Sequence, residues 1–230
     1  MSEEPGPLGP PVEPRDWQAA ARKALAGRTV VLEPVDPARH GESLHALSRS
    51  DDSLWTYMPY GPFADAAAFL GWLESCAASD DPLFFAIVDT ATSQASGMAS
   101  YLRITPAHGV IEIGHIWLAP VIQRTPQATE AIYLLAREAF DGLGYRRLEW
   151  KCNALNEASR RAALRFGFSF EGIFRQHLVV KGRNRDTAWY AILDQDWPRI
   201  RANFERWLSP DNFDAQGRQR IALSELNKAR

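Results

Sequence analysis

At 230 residues, 46% hydrophobic and 23% charged, the chain can close one substantial core and has the composition of an ordinary globular domain. A formal net charge of −2 gives no general attraction for a phosphate backbone, which argues against nucleic acid as a partner. No run approaches the roughly 18 consecutive apolar residues of a membrane span, and the two cysteines, Cys76 and Cys152, lack metal-like spacing, so neither a membrane nor a metal is expected.

Residues 1–14 carry five prolines and few large apolar groups. They are expected to stay disordered, and they are too acidic for a signal sequence, which with buried free thiols points to the cytoplasm. A short helix is predicted over 16–26, then a first strand over 29–33 stopped by Pro34. Asp36 is placed to cap a helix over 37–49, and Asp65 lies in the first turn of a second one reaching Ser75, with Ala66, Phe69, Leu70 and Leu73 on one face. Three apolar runs, 83–88, 98–104 and 110–118, read as an antiparallel meander separated by Ser96-Gly97 and the turn at 106–109. Thr125 as N-cap, Pro126 at the first helical position and Ala128, Ala131, Leu135 and Ala139 at helical spacing mark a strong helix running toward Gly142. A strand over 147–152 follows, then a helix capped by Asn156 that ends at Phe166-Gly167. The runs 168–181 and 185–193 form a hairpin around Gly182-Arg183-Asn184, and a Trp- and Arg-rich helix closes the pattern over 196–208. The expected division is an N-terminal extension over 1–27, the main domain over 28–195, and a C-terminal helix and polar tail over 196–230.

Strand 110–118, the helix after it and strand 147–152 make a right-handed βαβ unit inside a mostly antiparallel sheet. That puts the N–H groups and positive dipole end of the helix near Thr125 at the carboxyl end of a strand, where a pyrophosphate would fit.

This element order, the loop Gln123-Arg124-Thr125-Pro126-Gln127-Ala128 and the segment from Asn156-x-x-Ser159 to Phe166-Gly167-Phe168 resemble the GCN5-related N-acetyltransferase (GNAT) family. The likeness is strongest to the RimJ/RimL-like branch, which modifies ribosomal-protein N-termini. Arg175-Gln176-His177 and the stretch from Lys181-Gly182-Arg183 to Asn184-Arg185-Asp186 resemble a subgroup of that branch. The resemblance implies an α/β (α+β) fold with a seven-stranded, mostly antiparallel sheet, a central parallel βαβ unit and helices on both faces. It also implies acetyl-CoA as cosubstrate and an amine acceptor, either a protein N-terminus or a small molecule. The amides of Arg124, Thr125, Gln127, Ala128 and Thr129 would hold the pyrophosphate, and Asn156 the pantetheine arm. Pro126 stands where the family has a glycine, which removes one N–H donor and stiffens the loop. A tyrosine general acid of many relatives is Ala163 here, so Ser159 becomes the candidate acid.

Acyl transfer from a thioester to an amine needs a neutral amine, an oxyanion site and a route for the thiolate to leave. Glu112, amid apolar neighbours on a central strand, is the first candidate base, and His115, placed by alternation on the opposite face, the second. A main-chain N–H near Trp117 or Leu118 would meet the oxyanion. Trp55, Tyr57, Tyr60 and Phe63 lie where an amine pocket is expected, with His177 beside it. Arg160, with Arg161 and Arg165, is placed for the nucleotide's 3′-phosphate. Each has a plainer reading: packing for the aromatics and His177, solvation for the arginines, a salt bridge for Glu112. The alternatives kept open are a succinyl or other acyl donor and a non-catalytic CoA-binding module. Trp197, Phe204 and Trp207 on the last helix offer an apolar surface for a homodimer.

Overall fold

The computed structural model describes residues 9–228. One eight-stranded sheet runs in the order β1-β2-β3-β4-β5-β6-β8-β7. Its strands are β1 Leu25–Ala26, β2 Val30–Pro34, β3 Leu83–Asp89, β4 Ala95–Thr105, β5 Val110–Leu118, β6 Arg147–Asn153, β7 Ser169–Val180 and β8 Arg183–Leu193. Every neighbouring pair is antiparallel except β5 and β6. The helices are α1 Pro37–Ser48, α2 Ala66–Ala78, α3 Pro126–Arg137, α4 Glu157–Arg165, α5 Trp197–Leu208 and α6 Leu223–Lys228.

Alternation along β3 shows why the sheet is covered on both sides. Leu83, Phe85 and Ile87 join one core with α3 and α5, while Phe84, Ala86 and Val88 join another with α1 and α2. Side-chain caps start the helices where the sequence indicates: Asp36 accepts from Ala38 N, Asp65 from Ala68 N, Thr125 from Ala128 N and Asn156 from Ser159 N. Asp65 is therefore the cap of α2 and not part of its first turn. Buried Glu130 ties α3 to the sheet, accepting from the backbone N–H groups of Arg28 (2.8 Å), Thr29 (2.6 Å) and Val30 (3.2 Å).

Several expectations are corrected. The eighth strand is β1, too short to register as an apolar run, and no helix forms over 16–26. Trp17 instead donates its indole N–H to Gly144 O at 2.7 Å and covers Gly109, while Gln18 O accepts from the Tyr145 hydroxyl. Distant contacts override the local helical tendency there. Of the stretch expected to be disordered, residues 1–8 lie outside the described residues and 9–14 are exposed without regular structure. Ser96-Gly97 is not a turn but lies inside β4, where the glycine serves close strand approach: a Cβ there would stand 2.7 Å from Trp117 O on β5. The polar tail packs on the domain: Leu223 is fully buried, Asn227 donates to Arg165 O, and Asn212 Nδ2 donates to Trp207 O and Ile221 O. The apolar face of α5 is likewise internal, with Trp197, Phe204 and Trp207 all in the core, so it offers no surface for a second copy. Cys76 and Cys152 are free and buried. Among the described residues no helix is long and apolar enough to cross a membrane.

Candidate active site

The parallel seam between β5 and β6 pairs over only four rungs, from Val110 with Arg147 to Ile113 with Trp150. Beyond that point the two strands part, although each keeps its outer neighbour: β5 pairs with β4 as far as Leu118 and β6 with β8 as far as Asn153. The opening is thus confined to one seam. Its cause is an extra residue in β5, where Ser100 faces Gly114 and Met98 faces Trp117, with His115 at φ 50°. A bulge of this kind bends its strand and re-aims side chains.

The cleft so formed is lined by Ile113, Gly114, His115 and Ile116 from β5 and by Trp150, Lys151, Cys152 and Asn153 from β6. Asn156 and Ser159 border it from α4, Tyr57 and Met58 from the α1–α2 connection, and His177, Arg185 and Thr187 from the β7–β8 hairpin. Alternation alone would put Glu112 and His115 on opposite faces. The bulge brings both to this cleft.

Glu112 stands level with Glu149 across the parallel pair, with Lys151 Nζ between them at 2.9 Å from Glu112 Oε2 and 2.6 Å from Glu149 Oε2. Arg103 Nε lies 3.2 Å from the same Glu112 oxygen, and Arg147 holds Glu149 from the far side at 2.7 Å. Glu112 Oε2 is nevertheless buried without an aligned hydrogen bond, so its pairing is Coulombic. Burial pushes Glu112 above the usual carboxylate range, against the pull of Lys151 and Arg103. Burial raises Glu149 too, but Lys151 and Arg147 outweigh it and hold that carboxyl low.

His115 stacks on Tyr60 with planes 9° apart, and its Nδ1 is 3.0 Å from the Tyr60 hydroxyl. Burial, helped by the nearby Arg185 charge, lowers its pKa to about 4, so the ring is neutral at pH 7. Ser159 Oγ accepts the indole N–H of Trp150 at 3.0 Å, which occupies one lone pair and leaves its O–H free to donate. Asn156 Oδ1 is committed to the α4 cap, so its amide N–H groups are what it can offer a ligand.

The loop before α3 does not line this cleft. There Arg124 has φ 62°, Thr125 N donates to Ile122 O, and Ala128 N to the Thr125 hydroxyl, so neither amide is free without displacing that contact. Gln127 follows Pro126 in the first helical turn, and the buried Thr129 hydroxyl accepts from Arg165. Arg160 donates to the Tyr190 hydroxyl and Ala154 O, and Arg161 pairs with Glu157 along α4.

The aromatic segment divides. Trp55 is buried against Tyr60, Phe63, Trp72 and Trp117 and does not line the cleft, and Trp117 is buried with it. Leu118 O is taken by the Gln123 side chain. Tyr57 reaches the cleft, with its hydroxyl donating to Leu155 O, and Tyr60 meets His115. His177 Nδ1 lies 3.0 Å from the Thr187 hydroxyl across the hairpin. Sequence reasoning missed Arg103, Lys151 and Arg185. Lys151 sits in the ordinary alternation of charged residues with Leu148, Trp150 and Cys152 along β6, and Arg103 reaches Glu112 because a second bulge, with Arg103 at φ 48°, lies between Leu102 and Thr105.

A mixed sheet that parts along its parallel seam beside the start of the crossover helix defines an α/β protein with a cleft between two neighbouring strands. Residues 29–169 match the acetyltransferase (GNAT) domain family, and the chain belongs to that family. It is similar to the crystal structure of a GCN5-related N-acetyltransferase from Brucella melitensis, with 48% identity, TM-score 0.91, and 93% of this chain and 97% of that one covered. Two Bacillus subtilis (strain 168) proteins are also similar: the "Uncharacterized N-acetyltransferase YoaA", 31% identical over 44% of this chain, and the "Putative ribosomal N-acetyltransferase YdaF", 32% identical over 44%. The match spans 57% and 55% of their respective lengths.

Proposed function

We propose that the protein is an acetyl-CoA-dependent N-acetyltransferase acting on a primary amine, and that the opening of the β5–β6 seam is where the two substrates meet. The parting of the strands beyond Ile113 and Trp150 carries this reading, since an uninterrupted sheet leaves no path for a pantetheine arm. Its walls fit the group: polar donors from Asn156 and Ser159 on one strand-helix side, and the bulged backbone of β5 on the other. When bound, acetyl-CoA supplies the thioester whose carbonyl carbon the amine attacks.

Glu112 is assigned the proton of the attacking ammonium, relayed by water. Burial raises its basicity, and the acidic proton of an amine with pKa from about 8 (N-terminus) to about 10 (lysine) must be removed before attack. Lys151 and Arg103 hold the carboxylate in place while restraining that rise. Ser159, its acceptor side occupied by Trp150, is oriented to donate toward the departing sulfur. Backbone N–H groups of the bulged β5 segment are assigned the oxyanion. The amine enters between Tyr57 and the β7–β8 hairpin. The amides of the 123–129 loop take the pyrophosphate, with Arg124 and Gln127 donating in place of the N–H that Pro126 lacks.

The acceptor is a protein N-terminus, as in the RimJ/RimL-like branch, or a small-molecule amine. The name of YdaF supports the first. Isothermal titration with acetyl-CoA and CoA, followed by thiol release over a panel of N-terminal peptides and small amines, tests the proposal. Binding with turnover is expected. Binding without turnover on any amine would replace the enzyme with a CoA-binding module, and absence of binding would remove the seam from the account. Glu112→Gln should lower turnover at least ~10-fold while leaving CoA affinity near normal, and an unchanged pH–rate profile would take Glu112 out of the mechanism.

A further inference from the structure

Within the cleft, three basic side chains face one carboxylate: Arg103, Lys151 and Arg185 against Glu112. Arg103 and Lys151 are both paired to Glu112, and Lys151 also reaches Glu149. Arg185 has no such close contact: burial lowers its pKa, and the Glu112 charge offsets that only from a distance. It makes no ion pair or side-chain hydrogen bond among the described residues, and its Nε is buried with nothing to donate to. A partly buried guanidinium left unpaired is costly to the fold, and such a group is kept where a ligand completes it. Nearby histidines cannot supply a negative charge: burial first, and then the surrounding cations, lower the pKa of both His115 and His177.

The position of Arg185 is set by the hairpin. It pairs with Leu178 on β7, and alternation along β8 puts it on the same face as Thr187 and Trp189, the face that carries Lys151 over the Trp189 ring at 3.8 Å. That is the side of the cleft assigned to the reacting ends of the substrates. The 123–129 loop, assigned the nucleotide's phosphates, is not among the cleft-lining residues, so those phosphates do not account for Arg185.

We propose that one of the two substrates carries a carboxylate into the cleft and that Arg185 binds it. The planar fork of a guanidinium matches a carboxylate with two parallel hydrogen bonds, and the terminal nitrogens of Arg185, unlike its Nε, are not among the buried atoms and are the ones a ligand in the cleft can reach. The carboxylate has two sources: an acidic acyl group on the donor, such as succinyl, or an acidic group next to the acceptor amine. This inference rests on the acyl-transfer reading of the cleft.

Calorimetric titrations of matched pairs separate the sources. One arm compares succinyl-CoA with acetyl-CoA; the other compares a tripeptide beginning with aspartate with the same tripeptide beginning with asparagine, added to CoA-saturated protein. In one arm the acid should bind about tenfold more tightly to the wild-type protein, and Arg185→Gln should bring the ratio close to one, with Arg185→Lys in between. Equal binding of acid and neutral partner in both arms would overturn the proposal, as would a preference that survives in Arg185→Gln with native circular dichroism. Titration of CoA alone reads the seam itself: failure there removes the acyl-transfer reading. The tripeptide comparison is repeated without CoA, so that an acid preference carried by the acceptor and lost in Arg185→Gln is read even where CoA does not bind.

Discussion

At the residue scale, His115 holds a proton less readily in the folded protein than in the unfolded chain, its pKa falling from 6.5 to about 4 by burial and the Arg185 charge. Between those values the unfolded state binds the extra proton, so stability is complete above pH 6.5 and declines as the pH falls toward 4, by roughly 3 kcal/mol from this group. Urea unfolding of wild type and His115→Gln across that window checks this: the variant should lose less, and parallel losses would show that His115 is not the group responsible. The cap and the proposed ligand contact of Asn156 are separable, since Oδ1 caps α4 and only its N–H groups remain for a ligand. Asn156→Asp keeps the cap and should leave the melting temperature near wild type while weakening CoA binding. Asn156→Ala should weaken CoA binding and also cost about 1 kcal/mol of stability. Equal CoA affinity in all three proteins would place the pantetheine elsewhere.

At the element scale, the site depends on how β4, β5 and the β7–β8 hairpin are held. Gly97 lets the β4 backbone approach the bulged part of β5, and a methyl group there would collide with main-chain oxygen instead of a side chain that can move. Gly97→Ala should therefore destabilise by about 1–3 kcal/mol, read as a lower urea midpoint. The hairpin turns at Lys181 and Gly182, both at positive φ, and Lys181 Nζ donates to Trp55 O at 2.9 Å and Gly61 O at 2.5 Å. This contact ties the hairpin to the α1–α2 connection across the entrance of the cleft. Lys181→Met should raise KM for the amine with little change in CoA affinity and a stability loss near 1 kcal/mol; an unchanged KM would mean the tie plays no part in acceptor binding.

At the scale of the whole molecule, the C-terminal residues complete the core on the α3 side. Leu223 is fully buried there, and Phe213 meets the Trp207 ring edge-on at 5.2 Å. Leu223→Ala should cost about 2–5 kcal/mol, and a urea midpoint matching wild type would show that α6 is dispensable. Among the large apolar side chains left exposed, five lie together on the edge strand β7, where Phe170, Ile173, Phe174, Leu178 and Val179 face solvent.

What the sequence by itself determined is local and periodic. The cap at Thr125 with Pro126 behind it, the cap at Asn156, and the apolar runs of β3 and β5 are written in neighbouring residues, so the elements and the βαβ unit follow from them. Glu112, Ser159 and Asn156 could be named as candidates because a polar group in an apolar strand or at a helix start is conspicuous. Tertiary structure decided the rest. The bulge at His115 depends on register with β4, so simple alternation put that ring on the wrong face. Trp17 abandons a helical tendency for a carbonyl 127 positions away, and Arg185 is an ordinary strand residue until the fold shows its Nε buried with no acceptor. Pairing, burial and vacancy are relations between distant segments, and a one-dimensional pattern contains only the residues that enter them.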